Sequence, residues 1–476
     1  MRWTLTQVAG AVAAAPGAGL DPLARMAGVS IDSRGIRPGE LFIAIHGPRH
    51  NGHDFVAAAL ERGAVAAVVA EGEAGRYPEA VRAKCLVARD TFAALQQLGR
   101  VQREAWGGKI AGVTGSVGKT TTKEILGALL GARRRVLKSE GNLNNEYGLP
   151  LMLCQLDESH EAAVLEMGMS RRGELARLCA VARPDVAVVT RVSAAHLEFF
   201  SSLDEIALAK RELVEGLRGS DSVAVLNADD PRVAAFAKHA PGRVLTYGIE
   251  NPADFRAEAI EDRGALGSSF ELVGPAGRAR LELALRGRHM ISNALAALAA
   301  ASVWNVGAAE AQRIFLDLRP AAMRGELLEF EDGVAVINDA YNASPASLAA
   351  AIDLLAATPN FRRRILAAGE MLELGPASAG LHREAGRAAA RTGKIGLIVT
   401  VQGEAERVGE AAVAAGFPRE WTRHFATSAE AAQFLAGALQ PGDLVLVKGS
   451  RGVRMERIVD ALVARHALSG ARQEPH

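Results

Sequence analysis

Short apolar runs alternate along this chain with longer segments in which apolar residues recur at helical spacing. Runs such as ELFIAI, KIAGVTG, DVAVVTRV and DLVLVKGS predict buried strands, because continuous apolar runs of about four to eight residues are typical of parallel sheets covered on both faces. Most of these runs are followed by a segment whose apolar residues recur every three or four positions. The pattern therefore predicts an α/β protein built from parallel sheets with helices on their faces.

The same alternation divides the chain into three predicted domains. Residues 1–106 contain an amphipathic first helix and a small α/β unit that ends in a connecting helix. Residues 107–318 contain a longer strand and helix series, in which short alternating runs at 253–285 predict an antiparallel appendage and an Ala-rich helix follows at 289–303. Residues 319–476 contain a third series with the βαβ rhythm of a Rossmann-like sheet.

Composition and charge exclude several classes of function. The 476 residues include 55 Lys and Arg against 54 Asp and Glu, so no overall field attracts nucleic acid or an anionic membrane. No apolar stretch approaches the roughly 20 residues that span a bilayer, and the N-terminus lacks the features of a signal peptide. Three widely spaced cysteines predict no disulfide framework, which fits a reducing compartment. We expect a cytoplasmic monomer that binds no nucleic acid and has no membrane span.

A phosphate-binding loop is the strongest chemical signal in the chain. The segment TGSVGKTT lies between a predicted strand and a predicted helix, where backbone N–H groups and the positive helix end hold phosphates. Lys119 is expected to reach the β and γ phosphates of ATP, and the Thr120 hydroxyl to ligate Mg²⁺. The other loop residues expected around the phosphates are Thr114, Gly115, Ser116, Val117 and Gly118. The loop alone leaves open whether the γ-phosphoryl group goes to water or to an acceptor.

Three further residues are candidates for a metal site. Glu166 and His196 follow strand-like runs, at the carboxyl ends where open parallel sheets bind ligands. Glu166 is either a hard oxygen ligand of Mg²⁺ or a solvated or capping acid, and His196 is either a less usual ligand of that ion or an ordinary loop histidine. Lys210 falls on the apolar stripe of SLDEIALAKRELVEGL. It either snorkels to solvent or is a desolvated amine of lowered pKa, able to take up CO₂ as a carbamate that binds a second Mg²⁺.

Taken together, these motifs resemble those of the Mur ligases, the ATP-dependent amide-forming enzymes of peptidoglycan precursor assembly. TGSVGKTT resembles the family's phosphate loop, and LEMG, SAAH and ALAKRE resemble the segments that carry its magnesium ligands and carbamylated lysine. The resemblance implies metal ligands at Thr120, Glu166, His196 and a carbamylated Lys210, and a catalytic set of Lys119, Lys210, His196 and Glu166.

Other segments resemble the parts of these enzymes that contact the nucleotide. RGRHMISNALAALAA resembles their nucleotide-contacting helix, and MRGELLEF and INDAYNASPASL resemble the segments that close on ATP. The ATP contacts that this implies are His289, Asn293, Arg324, Asp339, Tyr341 and Asn342. The resemblance also implies a C-terminal domain hinged near residues 318–322, which closes before chemistry because water would hydrolyse an acyl phosphate.

Within the family, three segments indicate the substrates. GNLNNEYGLPL, AAGEMLELG and VKGSRGVRMERIV resemble most the member that adds D-alanyl-D-alanine to UDP-N-acetylmuramoyl-tripeptide. SIDSRGIRPGELFIAIHGPRHNGHDF resembles the uridine-nucleotide-binding segment of the family, so the first domain is expected to bind the uridine nucleotide and the central one to be the ATPase. The substrate contacts implied are Ser33, Arg34, Asn51, Asn144 and Asn145.

The sequence is also compatible with other functions. The chain could be a different ligase of this superfamily, either the tripeptide-forming one or a folylpolyglutamate synthase, or a nucleotide switch without transfer chemistry. His46, His50 and His53 could form a metal cluster, although no acid or cysteine clearly completes it. Arg191 is a departure, because family members often have Asn there.

Overall fold

The computed structural model describes residues 3–47, 50–195, 197–263 and 267–469. Within these ranges the chain forms three sheets, each built from its own stretch of sequence and flanked by helices. This confirms the predicted α/β architecture of three domains. One sheet lies in each predicted domain range, while the boundaries themselves stay predictions. None of the helices described is at once long and apolar enough to cross a membrane.

The first domain holds a small sheet. Its strands are β1 (Ala15–Pro16), β2 (Gly28–Ser30), β3 (Glu40–Ile43), β4 (Ala66–Ala70) and β5 (Cys85–Ala88), and its α-helices are α1 (Leu5–Ala11), α2 (Val56–Glu61), α3 (Glu71–Ala74), α4 (Glu79–Arg82) and α5 (Thr91–Trp106). The strand order is β1-β5-β4-β3-β2, with every neighbouring pair parallel except β1 with β5. Apolar residues of α1 and α5 pack on one face of this sheet.

Helix α5 connects the first domain to the central one. It begins after Asp90, whose carboxylate accepts two backbone N–H groups of the first turn, as an N-cap should. Near its end, the buried Arg103 side chain donates to the Ala182 carbonyl at 2.8 Å and pairs with Asp185 at 2.9 Å. The helix is therefore anchored to both domains.

The central domain holds the largest sheet. Its strands are β6 (Lys109–Thr114), β7 (Val136–Lys138), β8 (Ala162–Glu166), β9 (Val186–Val189), β10 (Val223–Asn227), β11 (Arg243–Gly248), β12 (Phe255–Asp262), β13 (Ser268–Gly274) and β14 (Gly277–Leu283). Its α-helices are α6 (Lys119–Gly131), α7 (Gly148–Leu153), α8 (Glu174–Ala182), α9 (Leu203–Glu215), α10 (Pro231–Ala234), α11 (Arg288–Ala301) and α12 (Ala308–Asp317). The strand order is β14-β13-β12-β11-β10-β9-β6-β8-β7.

The order of these strands positions the phosphate loop. Strands β6 to β12 pair in parallel, and the predicted antiparallel runs form β12 to β14 as a continuous extension of the sheet. Helices α6 and α11 cover one face, and α7, α8 and α9 cover the other. Because β6 lies between β8 and β9, the loop after β6 meets the residues that follow both neighbours, as expected at the carboxyl edge of a parallel sheet.

The third domain holds a Rossmann-like sheet. Its strands are β15 (Glu326–Glu329), β16 (Ala335–Asp339), β17 (Arg363–Gly369), β18 (Ile395–Val401), β19 (Thr422–Phe425) and β20 (Asp443–Lys448), and its α-helices are α13 (Pro345–Ala357), α14 (Ser378–Arg391), α15 (Glu406–Ala414), α16 (Ser428–Ala438) and α17 (Glu456–Arg465). The order is β15-β16-β20-β17-β18-β19, parallel apart from β15 with β16. The short 3₁₀ helices among the described residues are Gly52–Phe55, Ala235–His239, Ser302–Trp304, Gly375–Ala377, Gly403–Ala405, Arg419–Trp421 and Arg451–Val453.

Candidate active site

A cleft of about 1510 Å³ lies between the central and C-terminal domains. The central domain contributes the phosphate loop, the residues that follow β8 to β11, and helix α11, and the C-terminal domain contributes the segments that follow β16, β17 and β20. The predicted ATP contacts that line the cleft are Ser116, Val117, Gly118, Lys119, Thr120, His289, Asn293, Arg324, Asp339, Tyr341 and Asn342. The structure thus brings together residues that are more than 200 positions apart in sequence.

The phosphate loop is held from two sides. A Cβ on Gly115, at φ +151°, would lie 1.8 Å from the Thr190 hydroxyl, and a Cβ on Gly118, at φ +84°, would lie 2.4 Å from the Asn293 amide oxygen. Neither contact is possible for a residue with a side chain. The Thr190 hydroxyl also donates to the Val117 carbonyl at 2.6 Å. The loop is therefore clamped between the end of β9 and helix α11.

Lys119 is the first residue of α6, directly after this loop. Its Nζ donates to the Gly115 carbonyl at 2.8 Å. Burial lowers the pKa of Lys119, the charge of Glu166 opposes that effect, and the charge of Arg324 adds to it. The amine thus lies inside the loop that the sequence assigns to phosphate, with a second cation from the C-terminal domain nearby.

Two side chains that could supply oxygen ligands to a metal lie beside Lys119. The Thr120 hydroxyl donates to Oε2 of Glu166 at 2.7 Å, and Glu166 is only 4 % exposed. A hydroxyl and a carboxylate are the hard donors that Mg²⁺ prefers, so the residues present fit this ion. The structure describes no group of three or more His, Cys, Asp or Glu side chains that could hold a metal. His196, the other predicted ligand, lies outside the described residues.

Asn144, one of the predicted substrate contacts, lines the cleft beside Glu166. Its Nδ2 donates to Oε1 of Glu166 at 2.9 Å, so both carboxylate oxygens are held. Asn145 instead accepts the Gly148 N–H at 2.9 Å and organises the start of α7. The substrate role of both residues stays a prediction.

Sequence reasoning missed two residues beneath Glu166. The buried Ser139 hydroxyl accepts the Glu166 backbone N–H at 3.0 Å, and the buried Lys123 amine donates to the Ser139 carbonyl at 2.8 Å. Lys123 follows Lys119 by one helical turn, which is the only signal in the sequence that could have pointed to it. These two residues support the backbone that carries the carboxylate.

Lys210 lies on α9 among buried apolar residues and is 2 % exposed. Snorkelling does not describe it, because a snorkelling lysine keeps its amine in water. Burial lowers the pKa of Lys210 well below its ordinary value, and the charge of Lys119 lowers it further. No acid among the described residues offsets these effects. The amine is therefore in a setting that favours its neutral, nucleophilic form.

Charged residues of the C-terminal domain face the central domain across the cleft. Lys448 is buried, pairs with Asp339 at 2.6 Å and donates to the Asn342 carbonyl at 3.0 Å. Burial lowers the pKa of His289 on α11, Asp339 opposes this effect and Lys448 adds to it. The charges of Asp339 and Lys448 in the C-terminal domain therefore act on His289 in the central domain.

The two domains also touch at one end of the cleft. The Glu198 N–H donates to the Glu373 carbonyl at 3.1 Å. A Cβ on Gly375, which has φ +52°, would approach the Glu198 Cα to 3.2 Å. The loop after β17 therefore lies directly against the loop after β9, which carries the predicted ligand His196.

The predicted contacts of the first domain do not line this cleft. Ser33 is buried, and the exposed Arg34 pairs with Asp32 at 2.7 Å. Hydrogen bonds from Arg34 lower the pKa of Asp32 to about 2. Asn51 accepts a 2.8 Å hydrogen bond from Nδ1 of His53. A role of Ser33, Arg34 and Asn51 in binding the uridine nucleotide stays a prediction.

The histidines of the first domain do not form a metal cluster in the part of the chain that the structure describes. Nε2 of the buried His53 accepts the Ala70 N–H at 3.0 Å, while Nδ1 bonds to Asn51. Because both ring nitrogens are engaged, this residue is a structural histidine.

Known proteins resemble this chain over all three domains. Residues 25–103 match the Mur ligase family catalytic domain, residues 113–301 the Mur ligase middle domain, and residues 323–451 the Mur ligase glutamate ligase domain. The UDP-N-acetylmuramoyl-tripeptide--D-alanyl-D-alanine ligase of Bacillus subtilis is 36% identical over 437 residues, which are 92% of this chain and 93% of that protein. Its counterpart of the same name in Escherichia coli is 34% identical over 440 residues, 91% of this chain and 93% of its own length.

Solved structures show the same architecture. MurF from Acinetobacter baumannii superposes with a TM-score of 0.86 at 30% identity, covering 98% of this chain and 99% of that one. MurF from Thermotoga maritima in complex with ADP gives a TM-score of 0.78 at 29% identity and covers 92% of this chain and 97% of its own. With domain matches along most of its length and relatives that align almost end to end, this chain belongs to the Mur ligase family.

Proposed function

We propose that this protein is an ATP-dependent ligase that joins D-alanyl-D-alanine to UDP-N-acetylmuramoyl-tripeptide in peptidoglycan precursor synthesis, releasing ADP and phosphate. Relatives with that name align over more than nine tenths of the chain. The observation that carries the proposal is the shared cleft, in which the phosphate loop faces the strand ends of a second domain. A switch protein needs only the phosphate loop. A ligase also needs an adjacent surface that holds the acceptor beside the γ phosphate.

The chemistry of amide formation explains why ATP is required. A carboxylate is a poor acyl donor, because an attacking amine would have to expel oxide. Transfer of the γ-phosphoryl group to the terminal carboxylate of the tripeptide yields an acyl phosphate and ADP. The amine of the dipeptide then attacks the acyl carbon and loses its proton, and phosphate leaves as the new C–N bond forms.

Residues of the phosphate loop stabilise the first step. Lys119, whose amine contacts the Gly115 carbonyl of the loop, would contact the β and γ phosphates and offset the charge that builds up on the transferred group. Thr120 and Glu166 would hold Mg²⁺, which supplies charge neutralisation to the phosphates when bound. Asn144 orients the Glu166 carboxylate, and we propose His196 as a further ligand.

We also propose that Lys210 is carbamylated. Its neutral amine can attack CO₂, forming an N–C bond with loss of a proton, and the resulting anion can serve as a metal ligand beside Lys119. Lys210→Ala should be inactive and partly rescued by a short carboxylic acid. A carbonyl signal from isotope-labelled CO₂ should appear in the wild-type protein and be absent in Lys210→Ala. Full unaided activity of that variant would exclude the carbamate.

The test of the overall proposal is phosphate release from ATP and Mg²⁺ in the presence of UDP-muramoyl-tripeptide, with and without D-alanyl-D-alanine. Strict dependence on both substrates supports it. Slow hydrolysis independent of any amine would favour a switch, and dependence on another amino acid or on a folate would favour another member of the superfamily. Lys119→Ala should abolish ADP release while the protein stays folded, and wild-type turnover in that variant would reject the assignment of the loop.

The proposal has consequences for location and assembly. A ligase that consumes ATP and a nucleotide-linked precursor would act in the cytoplasm, where both are made. We propose that it acts as a monomer, since each site is completed by two domains of one chain. Measuring the mass of the purified protein by light scattering tests this point.

A further inference from the structure

Two guanidinium groups lie near one aromatic ring in the cleft. The Cζ of Arg324 lies 4.2 Å from the centroid of the Tyr341 ring, and the Cζ of Arg451 lies 5.8 Å from the same centroid. The three residues line the cleft, and they come from segments before β15, after β16 and after β20. Guanidinium groups within about 6 Å of a ring centroid are attracted by the negative face of the ring.

Arg324 has no acidic partner among the described residues. Its side chain forms no hydrogen bond or ion pair there, whereas Arg451 pairs with Glu456 at 3.4 Å. Arg324 and Lys119 nevertheless line the same cleft, one from each domain. The Tyr341 ring is therefore the group that holds this cation in the cleft.

The ring of Tyr341, and not its hydroxyl, makes the contacts that the structure shows. The hydroxyl forms no hydrogen bond within the described part of the chain. The Tyr341 N–H donates to the Met323 carbonyl at 3.3 Å, which ties the residue to the segment that carries Arg324. The resemblance predicts Tyr341 as an ATP contact, which stays a prediction, and the structure shows in addition that Arg324 lies over its ring.

We propose that Tyr341 is a positioning residue, whose ring face holds the Arg324 guanidinium against the phosphate end of the cleft with Arg451 as a second cation. This deepens the proposed function and rests on it, because the γ-phosphoryl group is the anion that Arg324 would meet there. A guanidinium already held on a ring loses less conformational freedom when it binds an anion. Loss of the ring should therefore weaken nucleotide binding even though the arginine remains.

The experiment compares Tyr341→Phe with Tyr341→Leu in the full chain. The dissociation constant of a non-hydrolysable ATP analogue with Mg²⁺ is measured by calorimetry, together with kcat and the KM for ATP. Tyr341→Phe should stay within about twofold of wild type. Tyr341→Leu should weaken binding about fivefold, which is about 1 kcal/mol at 1.4 kcal/mol per tenfold and the strength of a partly desolvated cation–π contact.

Arg324→Lys supplies the coupling test. It should weaken binding of the analogue in the wild-type background and have little effect in Tyr341→Leu, because the ring has already released the guanidinium. Additive losses would overturn the proposal. So would equal losses in Tyr341→Phe and Tyr341→Leu, which would assign the effect to the hydroxyl, or wild-type affinity in Tyr341→Leu.

Two controls keep the result interpretable. Thermal melting shows whether each variant is folded, and Tyr341→Met, with the same expected loss, replaces Tyr341→Leu if the latter does not fold. Binding of the analogue needs no acceptor. If the wild-type protein binds it but shows no dependence on D-alanyl-D-alanine, the proposed function fails while the role of Tyr341 is still decided by the affinities.

Discussion

The Glu166 carboxylate is held at both oxygens, by the Thr120 hydroxyl at 2.7 Å and by the Asn144 amide at 2.9 Å. Asn144→Ala removes the second contact from a residue that is 4 % exposed, so water can replace the lost donor only in part. A hydrogen bond to a charged group contributes about 1.5–3 kcal/mol. If that energy orients the carboxylate for Mg²⁺, the concentration of Mg²⁺ needed for half-maximal activity should rise about 10- to 100-fold.

The assay is phosphate release at saturating ATP and substrates over a range of Mg²⁺ concentrations. A second readout, independent of turnover, is the rise in melting temperature that Mg²⁺ and ADP produce. Asn145→Ala is the matched control. It removes the acceptor of the Gly148 N–H and should lower the free energy of unfolding by about 1 kcal/mol without changing the Mg²⁺ dependence.

The opposite pattern would refute this reasoning. If Asn144→Ala raises the KM for the UDP-linked substrate and leaves the Mg²⁺ dependence unchanged, then Asn144 is a substrate contact, as the sequence predicts, and its bond to Glu166 is incidental.

Three more predictions follow from buried groups. Arg103→Met removes the buried partner of Asp185 and leaves that carboxylate with the more distant Arg218, at 3.9 Å, as its ion-pair partner, so urea unfolding should show a loss of about 3 kcal/mol; adding Asp185→Asn should restore part of it, and a further loss of similar size would contradict the prediction. Burial lowers the pKa of both His53 and His382 below 6.5, and each accepts a backbone N–H at Nε2. Their contribution to stability is therefore complete above about pH 6.5 and is lost as the pH falls through their folded pKa values; melting temperatures should drop on acidification, and a double replacement by Gln that leaves this drop unchanged would be evidence against the assignment. Gly115→Ala places a methyl 1.8 Å from a threonine hydroxyl and should abolish binding of an ATP analogue in calorimetry, whereas wild-type affinity would show that the loop tolerates a side chain.

Features that depend on neighbours in sequence could be predicted well. The alternation of apolar runs and helical spacing predicts the α/β class and three sheets, because burial on both faces of a parallel strand leaves a continuous apolar run. The phosphate loop could be located because its chemistry resides in consecutive backbone N–H groups. Five short edge strands, β1, β2, β7, β15 and β19, had no counterpart among the predictions, since an edge strand with a solvated face lacks such a run.

Contacts between residues that are distant in sequence could not be predicted and are seen only in the tertiary structure. Spacing left Lys210 either snorkelling or buried, and only the packing around α9 decided for burial. The bond from Asn144 to Glu166 and the stack of Arg324 on Tyr341 join segments that the sheet order brings together. Local sequence pattern is sufficient to specify the α/β class and the position of the phosphate loop. Which side chains orient the metal ligand and the arginine was decided by tertiary structure, because each is defined by a contact between residues that no local pattern relates.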